Sequence, residues 1–212
     1  MSTNDYHFIT HWRVKSTVEE ISEILNDAPG LARWWPSVYL DVQEVEPGDE
    51  RGIGKVVSLY TKGWLPYTLR WRFRVTENRY PNGFTLAAWG DFEGRGIWTY
   101  EQDGEWVNVT YDWKIRADKP LLRTFSFLMK PIFSANHLWA MARGEESLKL
   151  ELARRQATTA EAQAQIPTPP GPTAISPVAL AVAALSAGAL LYFLRRARFR
   201  RGHYKRPFIV SK

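Results

Sequence analysis

Two neighbouring polar side chains, those of Asn136 and His137, are the clearest candidates for chemistry in this sequence. Both fall on or beside the apolar face of a predicted helix, where a buried amide or imidazole needs a hydrogen-bond partner. That partner is either the structure beneath the helix or the polar end of a bound molecule. His137 is also a candidate general acid or base, but no second catalytic group stands at a fixed spacing from it. Whether the protein is an enzyme therefore stays open.

Metal and cofactor chemistry finds little support in the residue types. The 212-residue chain has four histidines and no cysteine, which excludes disulfides, cysteine-ligated zinc, iron–sulfur clusters and a thiol nucleophile. His7 and His11 share one face of a predicted strand, but four strand residues separate them by about 13 Å, too far to bind one ion. The segment Gly94-Arg95-Gly96 lacks the third glycine and the helix of a dinucleotide-binding loop. We therefore expect no metal and no cofactor.

Aromatic side chains make up 14% of the chain and include ten tryptophans. A segment so rich in indole belongs to a folded domain, in which the rings either fill a core or line an apolar pocket. Strict alternation in 67–75 and 107–115 places Trp71, Tyr111 and Trp113 on the apolar faces of two strands. The opposite faces are polar, which is typical of an antiparallel sheet that is covered on one side only.

The periodicity predicts, in order, a strand, two short helices, six strands and one long helix. A capping box at Thr17 and Glu20 starts the first helix. Because adjacent helix residues cannot share a face, one of Trp34 and Trp35 is expected to point inward and the other outward. A two-residue hairpin turn is predicted at Asp103-Gly104. The predicted bounds are 5–15 for the first strand, 18–25 and 31–35 for the helices, and 38–46, 53–62, 66–78, 83–91, 94–103 and 105–117 for the later strands.

The long helix runs from Pro120 to about Arg155, and it must cover the concave face of the sheet because no other element can. Pro131 lies inside this stretch and is expected to kink the helix or divide it in two. The inward face is expected to carry residues spaced by one, three and four positions: Phe125, Met129, Ile132, Phe133, Asn136, Ala140, Gly144 and Leu148.

This order of elements resembles the START-like, or SRPBCC, superfamily, an α+β class with the helix-grip fold, in which a curved antiparallel sheet wraps around a long C-terminal helix. The resemblance spans about residues 5–155 and is carried by HFITHWRVKSTVEEISEIL, LARWWPSV, GDFEGRGIWTYEQ, VTYDWKI and ANHLWAMARGEESLKLEL. These segments are most similar to the branch of polyketide cyclases/dehydratases and lipid-transport proteins. The resemblance implies an elongated apolar cavity between helix and sheet for a lipid, a sterol, a polyketide or another hydrophobic small molecule.

Ten residues are predicted to line that cavity: Trp35, Trp71, Trp98, Tyr111, Trp113, Met129, Phe133, Asn136, His137 and Ala140. Packed together they form a core, whereas held partly apart they line a pocket whose few polar atoms orient a ligand. In an enzyme of the aromatase/cyclase type, His137 and Tyr111, with Asp91 or Arg95, would supply proton transfer or carbonyl polarisation.

The C-terminal part of the chain predicts membrane attachment. Residues 158–173 are rich in Pro, Ala and Thr, as in an extended linker after a ligand-binding domain at 1–157. Residues 174–194 are uncharged over 21 positions, and at 1.5 Å per residue they match a bilayer core of roughly 30 Å. A buried helix of a globular domain is the alternative for this segment. Residues 195–212 form a basic tail with eight positive charges and no acid.

The charge balance bears on partners and on membrane topology. Removing the eight tail charges from the net charge of +6 leaves −2 for residues 1–194, so we expect no nucleic-acid partner. Positive charges beside a membrane span favour a tail on the cytoplasmic side. The lack of a visible export signal favours a domain on the cytoplasmic side as well. A helix that lies in the membrane interface without crossing it would keep the tail and the domain on the same side. We expect a single-pass membrane protein with a cytoplasmic domain, while its sidedness and oligomeric state stay open.

The sequence as a whole predicts a membrane-tethered binding or carrier domain that holds a hydrophobic small molecule between sheet and helix. A polyketide cyclase or aromatase-type enzyme that uses the same cavity is the alternative. A structural protein whose cavity is filled by its own tryptophans is the third possibility.

Overall fold

The computed structural model describes residues 5–116 and 126–174. The chain divides into two compact units, 1–173 and 174–212, and every element below belongs to the first. The predicted membrane span lies outside the described residues, except for residue 174. Within the described ranges, no helix is long and apolar enough to cross a membrane.

A seven-stranded antiparallel sheet forms one layer, with the strand order β1-β7-β6-β5-β4-β3-β2. The strands are β1 (Asp5–Lys15), β2 (Tyr39–Glu46), β3 (Val56–Lys62), β4 (Thr68–Asn78), β5 (Gly83–Gly90), β6 (Glu93–Asp103) and β7 (Trp106–Arg116). From β2 to β7 each strand pairs with the next along the chain. The first strand instead pairs along its whole length with the last, from Asp5 opposite Arg116 to Lys15 opposite Trp106.

Helices link the two edges of the sheet and cover one of its faces. They are α1 (Val18–Asn26), α2 (Leu31–Trp34), α3 (Ser126–Gln156) and the short α4 (Ala160–Gln165). The predicted capping box is present: the Thr17 side chain accepts from the Glu20 N–H, and the Glu20 carboxylate accepts from the Thr17 N–H, both at 3.2 Å. The α+β order predicted from periodicity is therefore confirmed.

The alternation predicted for the central strands holds. In β4, Phe73 and Val75 are buried while the neighbouring Arg72 and Arg74 are exposed, and in β7 the apolar positions from Val107 to Trp113 are buried. These side chains join Leu148 and Leu152 of α3 in one core. The sheet is thus covered by α3 on its apolar face, in the helix-grip arrangement.

Trp34 and Trp35 depart from the expectation that they face opposite ways. Both are buried, at 0% and 2% exposure, and their rings stack with centroids 5.5 Å apart. The reason is that α2 ends at Trp34, and Trp35, with φ −125° and ψ 52°, has left the helical conformation. The rule for adjacent helix residues therefore does not apply to this pair.

Of the two effects expected of Pro131, division of the helix does not occur: α3 continues through this residue as one helix, since the missing N–H removes a single backbone hydrogen bond. Two smaller predictions differ from the structure. The β6–β7 turn is Gly104-Glu105, because Asp103 already pairs with Trp106. Part of the stretch expected to be extended forms α4, and Gln163 of that helix donates to the carbonyl of Arg154 at 3.1 Å.

The C-terminal half of α3 is fixed by the buried carboxylate of Glu151, which is 2% exposed. Arg33 donates to both of its oxygens, at 2.8 and 2.9 Å, and Arg155 Nε donates at 3.1 Å. Burial alone would raise the pKa of Glu151, but these hydrogen bonds outweigh it and hold the pKa below its usual value. The bidentate pair ties α3 to α2.

Two turns before the ion pair, α3 touches the indole of Trp35 directly. A Cβ atom added at Gly144 would lie 2.3 Å from Cζ2 of Trp35. Only a glycine allows the helix backbone and this ring to approach so closely. The contact sets the distance between α3 and the tryptophan pair at the end of α2.

We predict that Gly144→Ala lowers the free energy of unfolding by about 1–3 kcal/mol, the usual cost of overpacking. Alanine is favoured over glycine in a helix by roughly 1 kcal/mol, but the buried Trp35 ring cannot move aside. Denaturant titration followed by tryptophan fluorescence measures the change. The matched control is Gly171→Ala, because nothing lies within 4 Å of an added Cβ there; a stabilised Gly144→Ala would contradict the prediction.

Candidate functional site

A cavity of about 180 Å³ lies between α3 and the sheet. Its sides are formed by β1, by the chain after α2, by the β3–β4 connection and by β7. The residues that line it are Tyr6, Phe8, Trp35, Val38, Tyr39, Thr61, Lys62, Gly63, Tyr67, Leu69, Trp71, Asp91, Phe92, Tyr111, Trp113, Ile115, Phe133, Asn136, His137, Ala140 and Met141.

The structure brings eight of the ten predicted residues to this cavity: Trp35, Trp71, Tyr111, Trp113, Phe133, Asn136, His137 and Ala140. The Met129 side chain lies outside the described part of the chain. Trp98 departs from the prediction, because it lies in the core, stacked on Tyr111 at 4.0 Å and 5.4 Å from Trp12. The periodicity predicted the correct face of β6, but it does not indicate which residues of that face lie in the core and which lie at the cavity.

The floor of the cavity is a set of aromatic rings held apart from one another. The Trp71 centroid lies 5.1 Å from that of Phe92 and 6.0 Å from that of Trp113. Trp71 Nε1 donates to the Thr61 hydroxyl at 3.0 Å, which fixes the orientation of this indole. Gly96 provides room beneath the floor, since an added Cβ would lie 2.8 Å from the Tyr111 hydroxyl.

Asn136 connects α3 to the β3–β4 connection. Its Oδ1 accepts from the N–H of Leu65 at 3.3 Å. The approach is close, because a Cβ added at Gly63 would lie 2.1 Å from the same oxygen. The sequence predicts that the Asn136 amide either bonds within the protein or meets the polar end of a ligand. The hydrogen bond to Leu65 shows the first of these roles. The side chain also lines the cavity.

His137 has a different environment from Asn136. Its ring stacks on Phe8 with centroids 4.1 Å apart and an angle of 17°. Its Nε2 atom is buried and has no hydrogen-bond partner among the described residues. Burial lowers the pKa of His137 to about 4, so the imidazole is neutral at pH 7.

The hydroxyl of Tyr6 is a second buried polar atom without a partner among the described residues. Its ring stacks on Phe8 at 6.0 Å, so Tyr6, Phe8 and His137 form a row of three rings. Burial raises the pKa of Tyr6, and it raises that of Tyr67 to about 12 with a smaller contribution from Tyr6. These phenols are therefore neutral hydrogen-bonding groups at pH 7.

Two charged side chains, Lys62 and Asp91, lie among the lining residues. The Lys62 ammonium donates to the carbonyl of Thr173 at 2.6 Å. The Asp91 carboxylate accepts from the N–H of Arg70 at 2.9 Å. Both charges are engaged by backbone groups, and the rest of the lining is neutral.

The predicted histidine pair lies on the outer face of the sheet, away from the cavity. His7 Nε2 bonds to the Asp112 carboxylate at 2.8 Å, and His11 Nδ1 bonds to the Thr110 hydroxyl at 3.1 Å. Across residues 5–116 and 126–174, no group of three or more histidine and acidic side chains comes close enough to hold a metal ion.

The lining residues that sequence reasoning missed include four aromatic ones: Tyr6, Phe8, Tyr67 and Phe92. A signal existed for the first two, since they alternate on the apolar face of the first strand. This alternation does not reveal that the first strand pairs with β7, and it is this pairing that places Phe8 opposite Trp113. Phe92 lies in the turn before β6, where no periodicity identifies a facing direction.

Comparison of this chain with known proteins identifies its fold. No family model and no curated protein matches the sequence. Solved structures do match: a protein from Thermus thermophilus is 14% identical with a TM-score of 0.58, and covers 70% of this chain and 99% of its own. An aromatase/cyclase from Streptomyces sp. R1128 is 17% identical with a TM-score of 0.57, covering 73% and 97%.

A third match is a START superfamily protein from Mycobacterium smegmatis, 11% identical with a TM-score of 0.55, which covers 71% of this chain and 99% of its own. These structures show that the chain has a START-like fold, as the element order predicted. At such low identities the ligand of a neighbour does not transfer to this chain.

The buried imidazole leads to a pH prediction. The pKa of His137 is about 4 in the folded protein and 6.5 for an unperturbed imidazole, so the unfolded chain binds more protons below pH 6.5. The stabilisation from the neutral ring is complete above pH 6.5 and is lost as the pH falls towards 4. We expect His137→Gln to lose less stability than the unaltered protein between pH 6.5 and 4.5.

Denaturant titrations at several pH values within this window measure the difference. His11→Gln, which replaces an exposed histidine on the outer face of the sheet, is the matched control and should follow the unaltered protein. Parallel curves for His137→Gln and the unaltered protein would show that this imidazole is not buried.

Proposed function

We propose that this protein binds a hydrophobic small molecule in the cavity between α3 and the sheet, as a carrier or binding domain. The observation that carries the proposal is a cavity with aromatic walls and three buried polar atoms, Tyr6 Oη, Trp35 Nε1 and His137 Nε2, that lack partners among the described residues. A bound molecule would bury its apolar surface against these walls and supply the missing hydrogen bonds.

Catalysis in the same cavity is the weaker proposal. One structural neighbour is described as an aromatase/cyclase, and His137 is the acid–base candidate of this chain. His137 Nε2 has no hydrogen-bond partner among the described residues, so none of their side chains is in place to share proton transfer with it. Binding therefore accounts for the site with fewer assumptions.

We also propose that residues 174–194 and the basic tail 195–212 attach the domain to a membrane. The support is the 21-residue uncharged segment followed by eight positive charges. An attached domain would stay at the surface where hydrophobic molecules accumulate, which raises its effective concentration towards them.

The binding proposal predicts that Ala140→Trp abolishes ligand uptake, because the indole would fill the cavity. The full chain in phospholipid nanodiscs is titrated with 1-aminonaphthalene, an uncharged fluorophore whose emission depends on polarity, and the signal of empty nanodiscs is subtracted. We expect saturable binding for the unaltered protein and at least a tenfold loss for Ala140→Trp.

Leu138→Trp is the matched control, because Leu138 lies two residues away on α3 and is 61% exposed. It should bind the fluorophore as the unaltered protein does. Equal uptake by both tryptophan variants would contradict the cavity as the binding site.

The attachment proposal predicts that the full chain floats with phospholipid vesicles after an alkaline carbonate wash. A chain ending at residue 173 should stay in the aqueous fraction and unfold cooperatively on heating. Flotation of the shortened chain, or its failure to fold, would contradict the proposed division between domain and anchor.

A further inference from the structure

The size of the cavity limits the ligand that it accepts without expanding. Its volume is about 180 Å³, close to the ~150 Å³ of an engineered protein cavity that stays dry and binds benzene. A single substituted ring fits such a space. A sterol or a long acyl chain would have to extend beyond it.

The shape of the floor favours a flat ring. The ring centroids of Trp71, Phe92 and Trp113 lie 5.1–6.0 Å apart. These distances are in the range at which aromatic rings make offset or edge-to-face contacts. An aromatic ligand could make the same contacts with the ring faces that line the cavity.

Unpartnered polar atoms lie on three of the lining side chains. Tyr6 and His137 each stack on Phe8, with centroids 6.0 and 4.1 Å from its ring, and Tyr6 Oη, His137 Nε2 and Trp35 Nε1 are all buried without partners among the described residues. A phenol both donates and accepts, whereas a neutral imidazole nitrogen does one or the other and an indole N–H only donates. The Tyr6 hydroxyl is therefore the one of these groups that can both donate to and accept from a hydroxyl group on the ligand.

The electrostatics of the cavity disfavour an anion. The neutral His137 offers no positive charge at pH 7. Lys62 is turned to the carbonyl of Thr173, and the remaining charged lining residue, Asp91, is negative. The Lys130 ammonium lies 5.4 Å from the centroid of the Tyr6 ring, but Lys130 is exposed, and screening by water limits what it could contribute to a buried carboxylate on the ligand.

From these four observations we infer that the cavity selects a compact, uncharged aromatic molecule with one hydroxyl group. The ring lies on the indole floor, and the hydroxyl group bonds to Tyr6 Oη. This inference rests on the proposed function and assigns the chemical class of its ligand.

The test compares three probes of one ring size by ¹⁹F NMR: 4-fluorophenol, fluorobenzene and 4-fluorobenzoate. The full chain is used in phospholipid nanodiscs, with empty nanodiscs as the reference for partition into lipid. We expect 4-fluorophenol to bind about tenfold more tightly than fluorobenzene, the equivalent of one buried hydrogen bond. The benzoate should bind more weakly than both.

Tyr6→Phe then removes one hydroxyl group and keeps the ring row intact. In this variant the preference for 4-fluorophenol over fluorobenzene should fall severalfold while fluorobenzene binds as before. Tyr80→Phe is the matched control, since Tyr80 is 58% exposed and lies outside the cavity, and it should keep the full preference.

The outcomes separate this inference from the proposed function. Equal binding of 4-fluorophenol and fluorobenzene, or tightest binding of the benzoate, would overturn the assigned ligand class while a hydrophobic binding site remained. A preference for 4-fluorophenol that Tyr6→Phe leaves unchanged would overturn the assigned hydroxyl contact. Failure of all three probes and of 1-aminonaphthalene to bind would overturn the proposed function itself.

Discussion

The position of α3 over the sheet depends on the buried carboxylate of Glu151. Taking a carboxylate out of water is costly unless charged donors surround it, and here Arg33 and Arg155 do so. Together with the contact between Gly144 and Trp35, this pair holds the C-terminal half of the helix down. The N-terminal half of α3 is held less closely against the sheet, and the cavity lies beneath that half.

Much of this arrangement follows from local patterns. Alternation in β4 and β7 identified the buried face because a strand repeats every two residues, and the spacing on α3 identified Phe133, Asn136 and Ala140 because a helix repeats every 3.6. These patterns say which way a side chain faces but not what it meets. The core position of Trp98 and the row formed by Tyr6, Phe8 and His137 depend on the pairing of β1 with β7, which brings together residues about a hundred positions apart in sequence.

The same distinction separates the fold from the function. The START-like fold places a helix across a curved sheet, and this arrangement creates space between them. What occupies the space is decided by the side chains of this chain, since one fold serves many functions. Here they provide aromatic faces, three neutral polar atoms without partners among the described residues, and two charges that bond to the backbone. Under the proposed function, the site recognises its ligand by shape and hydrogen bonding rather than by charge.

The most direct test of the account uses the indole N–H signals of the ten tryptophans as reporters of position in a ¹H–¹⁵N NMR titration with a small uncharged aromatic compound. The account predicts saturable shifts with one-to-one stoichiometry for Trp35, Trp71 and Trp113, which line the cavity. It predicts unchanged signals for Trp89 and Trp106, which are 37% exposed and lie outside the cavity. Shifts confined to those two exposed indoles, or shifts that do not saturate, would contradict it.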